Sequence, residues 1–271
     1  KLSESAVKKY AVEKGLRVLQ PTNLKSEEFL EELKSLNANL QVVVAFRMLP
    51  EVVWRMPKLG TFNLHASLLP NYRGAAPINW AIINGEEKTG VTTFFIDEKI
   101  DTGAMILHKE TEIGKSETAG ELHDRLMNIG SEAVIDTLSL IENGKATTEI
   151  QKETENIKTA YKLNKDNCKI DWTKSGEDIF NLIRGLCPYP AAWSFIKDEH
   201  KEWNVKFYDT QFTEENHNYT VGKIITTKKE MKIAVKDGFI EILSLQFPGK
   251  KKMQIHELLN GIQLSKEAIA L

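Results

Sequence analysis

From Leu40 to Phe46 the chain reads Leu-Gln-Val-Val-Val-Ala-Phe. β-Branched side chains lose rotamer freedom in a helix and pack well on a pleated surface. A run of them without polar alternation is the pattern of a strand covered on both faces, as in sheets flanked by helices. The segments around it alternate between strand and helix patterns. Ser3–Lys14 predicts a helix that Ser3 can cap, with Ala6, Val7, Tyr10 and Ala11 on one face and Gly15 to stop it. Leu16–Pro21 predicts a short strand, and Ser26–Leu36 a second helix with Phe29, Leu30, Leu33 and Leu36 in one stripe. Strands follow in GTFNLHAS, GVTTFFID and AMILHKETEI, the last suited to a sheet edge. Thr118 with Glu121 forms a capping-box pattern opening a long helix that ends near Gly144 and carries Leu122, Leu126, Ile129 and Ala133 at helical spacing. Such alternation predicts an α/β domain on a mostly parallel sheet, which binds ligands outside the carboxyl ends of its strands.

The pattern changes after residue 149. Periodicity fades to about Asn167, a helix is predicted over Ser175–Leu186, and short strands at close spacing follow: WNVKFYDTQF, VGKIITT, MKIAVKDG and FIEILSLQFPG, with Asp237-Gly238 as a hairpin signal. These predict a small β-barrel. The reading divides the chain into a catalytic sheet domain at 1–150, a connector and helix at 151–195, and the barrel domain at 196–271.

No run is long enough to cross a bilayer, and the first residues lack the apolar core of a signal peptide. Two cysteines, Cys168 and Cys187, give neither a disulfide framework nor a metal cluster and suit a reducing cytoplasm. No metal is expected. Net charge is −2, which argues against wholesale nucleic-acid binding, but residues 221–252 hold eight lysines against three acidic residues. That excess reads either as a solvated face or as a phosphate-contacting patch centred on Lys228, Lys229, Lys250, Lys251 and Lys252.

The candidate chemistry lies in FNLHASLLPNYRGAAP. Asn63 and His65 lie two apart near a strand end, and Asp101 follows 36 residues after His65 in a loop. A carboxylate there can orient the imidazole, and the Asn amide with the imidazole can supply two donors to a developing oxyanion and a carrier for a proton. Taken alone, each residue is also ordinary: Asn and Asp-Gly pairs form turns, and most histidines are structural. A Ser67-His65-Asp101 hydrolytic triad lacks the G-x-S-x-G elbow that would expose the serine.

The stretches FNLHASLLPNYRGAAPINWAI, GEEKTGVTTFFIDEKIDTGAMI, GLCPYPAAW and GKKKMQIHELLNG together resemble the methionyl-tRNA formyltransferase family, from near Lys1 to close to the end. The resemblance implies a Rossmann-like first domain and an OB-like second. It implies Asn63, His65 and Asp101 as the catalytic residues and Ser67, Leu68, Leu69 and Pro70 as the folate-binding loop. It also implies 10-formyltetrahydrofolate as donor and initiator methionyl-tRNA, held by the basic barrel, as acceptor, in a monomeric cytoplasmic enzyme. The similarity starts beyond the family's first strand–helix–strand and basic loop, so a further unit of about 30 residues or more is expected before Lys1. Three rivals remain at this point: formyl transfer to an amino-sugar nucleotide, hydrolysis of the formyl donor, and a non-catalytic RNA-binding role.

Overall fold

The computed structural model describes residues 4–45, 48–152 and 156–271. It divides into two compact units, 1–62 and 63–271. The first holds helix α1 (Ala6–Glu13), helix α2 (Glu27–Ser35), strand β1 (Gln41–Val44), the short helix α3 (Glu51–Trp54) and the start of strand β2 (Thr61–His65). Ser5 caps α1, its side chain accepting from the Lys8 N–H; the expected cap, Ser3, lies outside the described residues. Gly15 ends that helix at φ +63°, as expected of a left-handed stop. Within this unit Gln41 N–H donates to the Gly60 carbonyl, and the Thr61 hydroxyl bonds the Trp54 carbonyl and Gln41.

Two expectations fail here. Leu16–Pro21 is not a strand, because no strand among the described residues offers it a ladder. The strand β1 is not buried on both faces: burial alternates, and Val42 and Val44 are 41% and 57% exposed. One face has no covering layer among the described residues, and Phe46, which closes the run, lies outside them.

The second unit opens on the last residues of β2. It continues through strand β3 (Arg73–Gly74), helix α4 (Pro77–Ile83), strand β4 (Lys88–Phe95), strand β5 (Met105–Glu112), helix α5 (Ala119–Glu142), strand β6 (Thr159–Ala160) and helix α6 (Gly176–Leu186). Its sheet runs β2-β4-β5, and β5 turns back antiparallel to β4 at the edge. Both halves of the predicted capping box form at Thr118 and Glu121. Leu122, Leu126 and Ala133 of α5 then bury against Val91 and Ile82 in a core that also takes in Tyr72 and Ala160. The connector is not featureless: Glu149 bridges Met105, and β6 pairs in parallel with β3.

The barrel is built from β7 (Ala192–Asp198), β8 (Lys201–Glu214), β9 (Ile224–Thr226), β10 (Met231–Val235), β11 (Gly238–Gln246), β12 (Met253–Gln254), the short helix α7 (Ile255–Leu259) and β13 (Ile269–Ala270). The strand order is β13-β7-β8-β11-β10-β9, antiparallel throughout, with β12 on β11. Hydrogen bonds from Ile224 to Ala268 and from Ala270 to Gly222 nearly close it, which answers the edge problem of a small sheet. The predicted hairpin at Asp237-Gly238 joins β10 to β11, whereas β7 is a strand that the sequence pattern does not reveal. Ile179, Ile183 and Leu186 of α6, with Cys168, Ile170 and Trp172, pack into the barrel core against Phe207 and Ile242.

Candidate active site

Asn63 and His65 lie two apart on β2, so they share one face of the strand, and both are buried. The chain then folds back over them. The Ser67 hydroxyl donates to the Asn71 carbonyl at 2.7 Å, while the buried Thr92 hydroxyl on β4 donates to the Ser67 carbonyl and accepts from Leu69 N–H. The segment 67–71 is thereby tied to itself and to β4. Ser67 is fully buried with its hydroxyl turned to Asn71, and the two ring nitrogens of His65 face Tyr72 and Asp101, so no serine–histidine couple forms. Leu69 is buried, and Leu68 and Pro70 are half-buried.

Tyr72 turns the loop with a left-handed backbone, φ +61°. Its N–H donates to the Lys158 carbonyl at 2.6 Å, and its phenol donates to Glu86 and accepts from Asn84. Burial, reinforced by the Glu86 hydrogen bond, pushes the phenol well above the ordinary tyrosine range, so it stays a neutral anchor. The anchored residue presents its carbonyl to His65 Nε2 at 2.8 Å. A carbonyl only accepts, so Nε2 carries a proton and donates. Nδ1 is the other ring nitrogen, and it faces Asp101 Oδ2 across 3.8 Å. That spacing is too long for a direct hydrogen bond. The ring is therefore oriented by Tyr72 and faces the carboxylate without being bonded to it.

Asp101 adopts a left-handed backbone (φ +55°) in the loop between β4 and β5, and its Oδ2 accepts the Gly74 N–H at 2.9 Å. Gly74 itself sits at φ +121°, with its Cα so close to β6 that an added Cβ would stand 2.4 Å from the Ala160 carbonyl oxygen. No side chain larger than hydrogen fits there without moving the strand pair. Behind Asp101, the buried Gln151 donates to the Asp101 and Gly103 carbonyls and accepts from the Arg73 guanidinium. The structure thus brings His65 and Asp101 together, with Asn63 buried two residues before His65 on the same face of β2 and loop 67–70 following them in the chain.

The family model "Formyl transferase" matches residues 1–138, and "Formyl transferase, C-terminal domain" matches residues 162–263. The chain is 70% identical to the methionyl-tRNA formyltransferase of Flavobacterium johnsoniae, over 99% of this chain and 85% of that protein. The chain belongs to the methionyl-tRNA formyltransferase family. A second member, from Flavobacterium psychrophilum, is 66% identical over 99% of this chain and 85% of its own length. Among solved structures, HypX from Aquifex aeolicus in complex with tetrahydrofolic acid superposes with a TM-score of 0.63 at 22% identity, over 85% of this chain and 39% of that one; the likeness is one of fold. The formyltransferase architecture expected from the sequence, an α/β sheet domain followed by an antiparallel barrel, is the one observed.

The predicted lysines sit far along the chain from the Asn63–Asp101 cluster. Lys228 and Lys229 occupy the turn joining β9 and β10, and Lys250–Lys252 the loop after β11; all but Lys252 are flanked by exposed residues, and Lys252 itself is exposed. Because β10 runs antiparallel to β11, with Lys232 opposite Glu241, the start of β10 and the end of β11 point the same way. Both lysine groups therefore lie at one end of the barrel. Lys252 also places its ammonium 4.9 Å from the Tyr208 ring centroid. Sequence reasoning marks Gly74 only as a turn residue, with Pro77, and does not single out Tyr72 or Gln151. Tyr72 and Gly74 act through backbone groups inside the FNLHASLLPNYRGAAP motif, and Gln151 stands in a connector without any pattern.

Proposed function

We propose that this chain transfers the formyl group of 10-formyltetrahydrofolate to the α-amino group of methionyl initiator tRNA, as a cytoplasmic monomer. The observation that carries the reading is His65 facing Asp101 across 3.8 Å, on the strand that also carries buried Asn63 two residues earlier, in a chain 70% identical to a methionyl-tRNA formyltransferase. In this reading the neutral amine attacks the formyl carbon and forms the new C–N bond. The Asn63 amide and His65, acting as imidazolium so that Nδ1 also donates, stabilise the oxyanion, and the bond from the formyl carbon to the folate nitrogen then breaks. Asp101 assists passage of the amine proton to that departing nitrogen. With Nε2 held by Tyr72, the Nδ1 edge, 3.8 Å from Asp101, is the ring face that meets the reacting atoms.

Loop 67–70 would hold the folate through its backbone, Leu68 and Pro70, while Ser67 and Leu69 shape the loop from beneath. The lysine-rich end of the barrel would take tRNA phosphates. Holding both substrates in register supplies about 7–11 kcal/mol of the barrier lowering, so much of the protein serves positioning. Three sugar formyltransferases of known structure share this fold at 21–24% identity, whereas methionyl-tRNA formyltransferases match over nearly the whole chain at 46–70%.

The test offers the full-length protein the formyl donor with methionyl-tRNA, with an amino-sugar nucleotide, or with water alone. Formylated methionyl-tRNA as the dominant product supports the reading. Faster formylation of the sugar, or release of formate regardless of acceptor, overturns it.

A further inference from the structure

The geometry points to Gln151 as a positioning residue that sets the catalytic carboxylate, an inference that rests on the reading of Asp101 given above. Gln151 is 5% exposed, and its side chain amide is fully used. Nε2 donates to the Asp101 carbonyl and to the Gly103 carbonyl, both at 2.9 Å. Oε1 accepts from Arg73 Nε at 3.0 Å and Nη2 at 2.8 Å. Two carbonyls on one side and a guanidinium on the other leave the orientation of the amide unambiguous.

These bonds close a ring. Arg73 is the chain neighbour of Gly74, Gly74 N–H grips Asp101 Oδ2 at 2.9 Å, and Gln151 grips the Asp101 main chain. The backbone and the carboxylate of Asp101 are thus held by one assembly, at a residue whose φ of +55° is uncommon for a non-glycine, though aspartate tolerates it better than most. Gly103, the second carbonyl partner, lies where a Cβ would stand 1.7 Å from the Phe95 carbonyl oxygen, so the turn is already packed against β4. Gln151 is itself fixed by the reciprocal backbone bonds between Glu149 and Met105, 2.8 and 2.9 Å, two residues earlier. The connector therefore does more than link two domains: its first residue, Gln151, ties down the loop that carries Asp101.

Removing the two donated bonds frees the Asp101 turn without touching a group that meets substrate. A shift of about 1 Å in a reacting group costs on the order of 10² in rate. Two substitutions in the full-length enzyme separate the roles. Gln151→Glu keeps an oxygen for Arg73 but sets a carboxylate against two carbonyls; Gln151→Met keeps the length and loses every bond. Each is expected to lower kcat about 10- to 100-fold, while KM for donor and tRNA stays within about twofold. In an Asp101→Asn background either change should add little, because it acts through a carboxylate already removed.

Parental kcat in Gln151→Glu, or losses that multiply in full with Asp101→Asn, would overturn the role of Gln151. Parental kcat in Asp101→Asn alone would instead remove the catalytic reading of Asp101, and that arm tells the two failures apart. If Gln151→Met does not fold, the decision rests on Gln151→Glu and on Arg73→Lys, which weakens the same ring from its other side and should also lower kcat with little change in KM. Parental kcat in both would again overturn the proposal.

Discussion

Replacing Gly74 by alanine is the sharpest single perturbation of this site, because one methyl group attacks the fold and the catalytic geometry together. The residue sits at φ +121°, where a non-glycine side chain costs about 1–3 kcal/mol. The new Cβ would meet the Ala160 carbonyl oxygen at 2.4 Å, so the β3–β6 pair must open by nearly an ångström, weakening the 2.8 Å bond from Ala75 N–H to the same carbonyl. A typical hydrogen bond contributes about 1 kcal/mol net. Strain and weakened pairing together predict destabilisation of about 2–4 kcal/mol, seen as a melting temperature lower by roughly 4–7 °C for a chain of this size. Opening β3 also draws the Gly74 N–H away from Asp101 Oδ2, which accepts it at 2.9 Å in the parent. A displacement of that size at a catalytic group predicts about a 10²-fold fall in kcat. Thermal melts followed by circular dichroism, with formyl transfer assayed well below the variant's transition, read the two effects separately. A Gly74→Ala protein with parental melting and parental kcat would refute the packing argument and the role given to the Gly74–Asp101 bond.

Other perturbations follow from the same geometry. Ser67→Ala removes the bond to Asn71 and should cost about 1 kcal/mol of stability while leaving turnover within roughly tenfold of the parent; a collapse of more than about 10³ would restore the serine as a nucleophile. Exchanging Lys250, Lys251 and Lys252 for glutamine should weaken tRNA binding and flatten the plot of log affinity against log salt by about one unit for each phosphate no longer neutralised, with folate binding unchanged. Equal slopes in filter binding would mean that this end of the barrel does not meet the tRNA. Burial pushes the Cys187 thiol up, only partly opposed by Lys252, so less thiolate forms at a given pH than on an ordinary cysteine. Alkylation of Cys187 should therefore stay slow near neutrality and rise only at pH above the usual thiol range, and rapid labelling at neutral pH would contradict the burial.

The sheet, the long helix and most of the barrel are legible in the sequence because they depend on local rules. The Thr118–Glu121 box and the apolar period of α5 read directly from the chain. Ser5 takes the cap because the first turn of α1 begins at Ala6. The failed strand at Leu16–Pro21 and the half-exposed β1 show what local pattern cannot supply: a ladder partner and a second covering layer. In the site, Asn63 and His65 are visible as a motif, and Asp101 by its placement in the resembling loop. The orientation of His65 and Asp101 is not visible, because it comes from a carbonyl of Tyr72, an N–H of Gly74 and the side chain of Gln151, 50 residues from Asp101. Every residue has a carbonyl and almost every one an N–H, so only the folded loop reveals which of them matter.

The most direct measurement of the central claim is the single-turnover rate of formyl transfer to methionyl-tRNA, with both substrates saturating, in the parent and in Asn63→Ala and His65→Ala. Loss of one oxyanion donor costs about 10²–10³ in rate. Each variant should be slower by that factor, with the folate dissociation constant within about twofold of the parent. A rate near the parent's in either variant would contradict the assignment of that residue to the reacting centre.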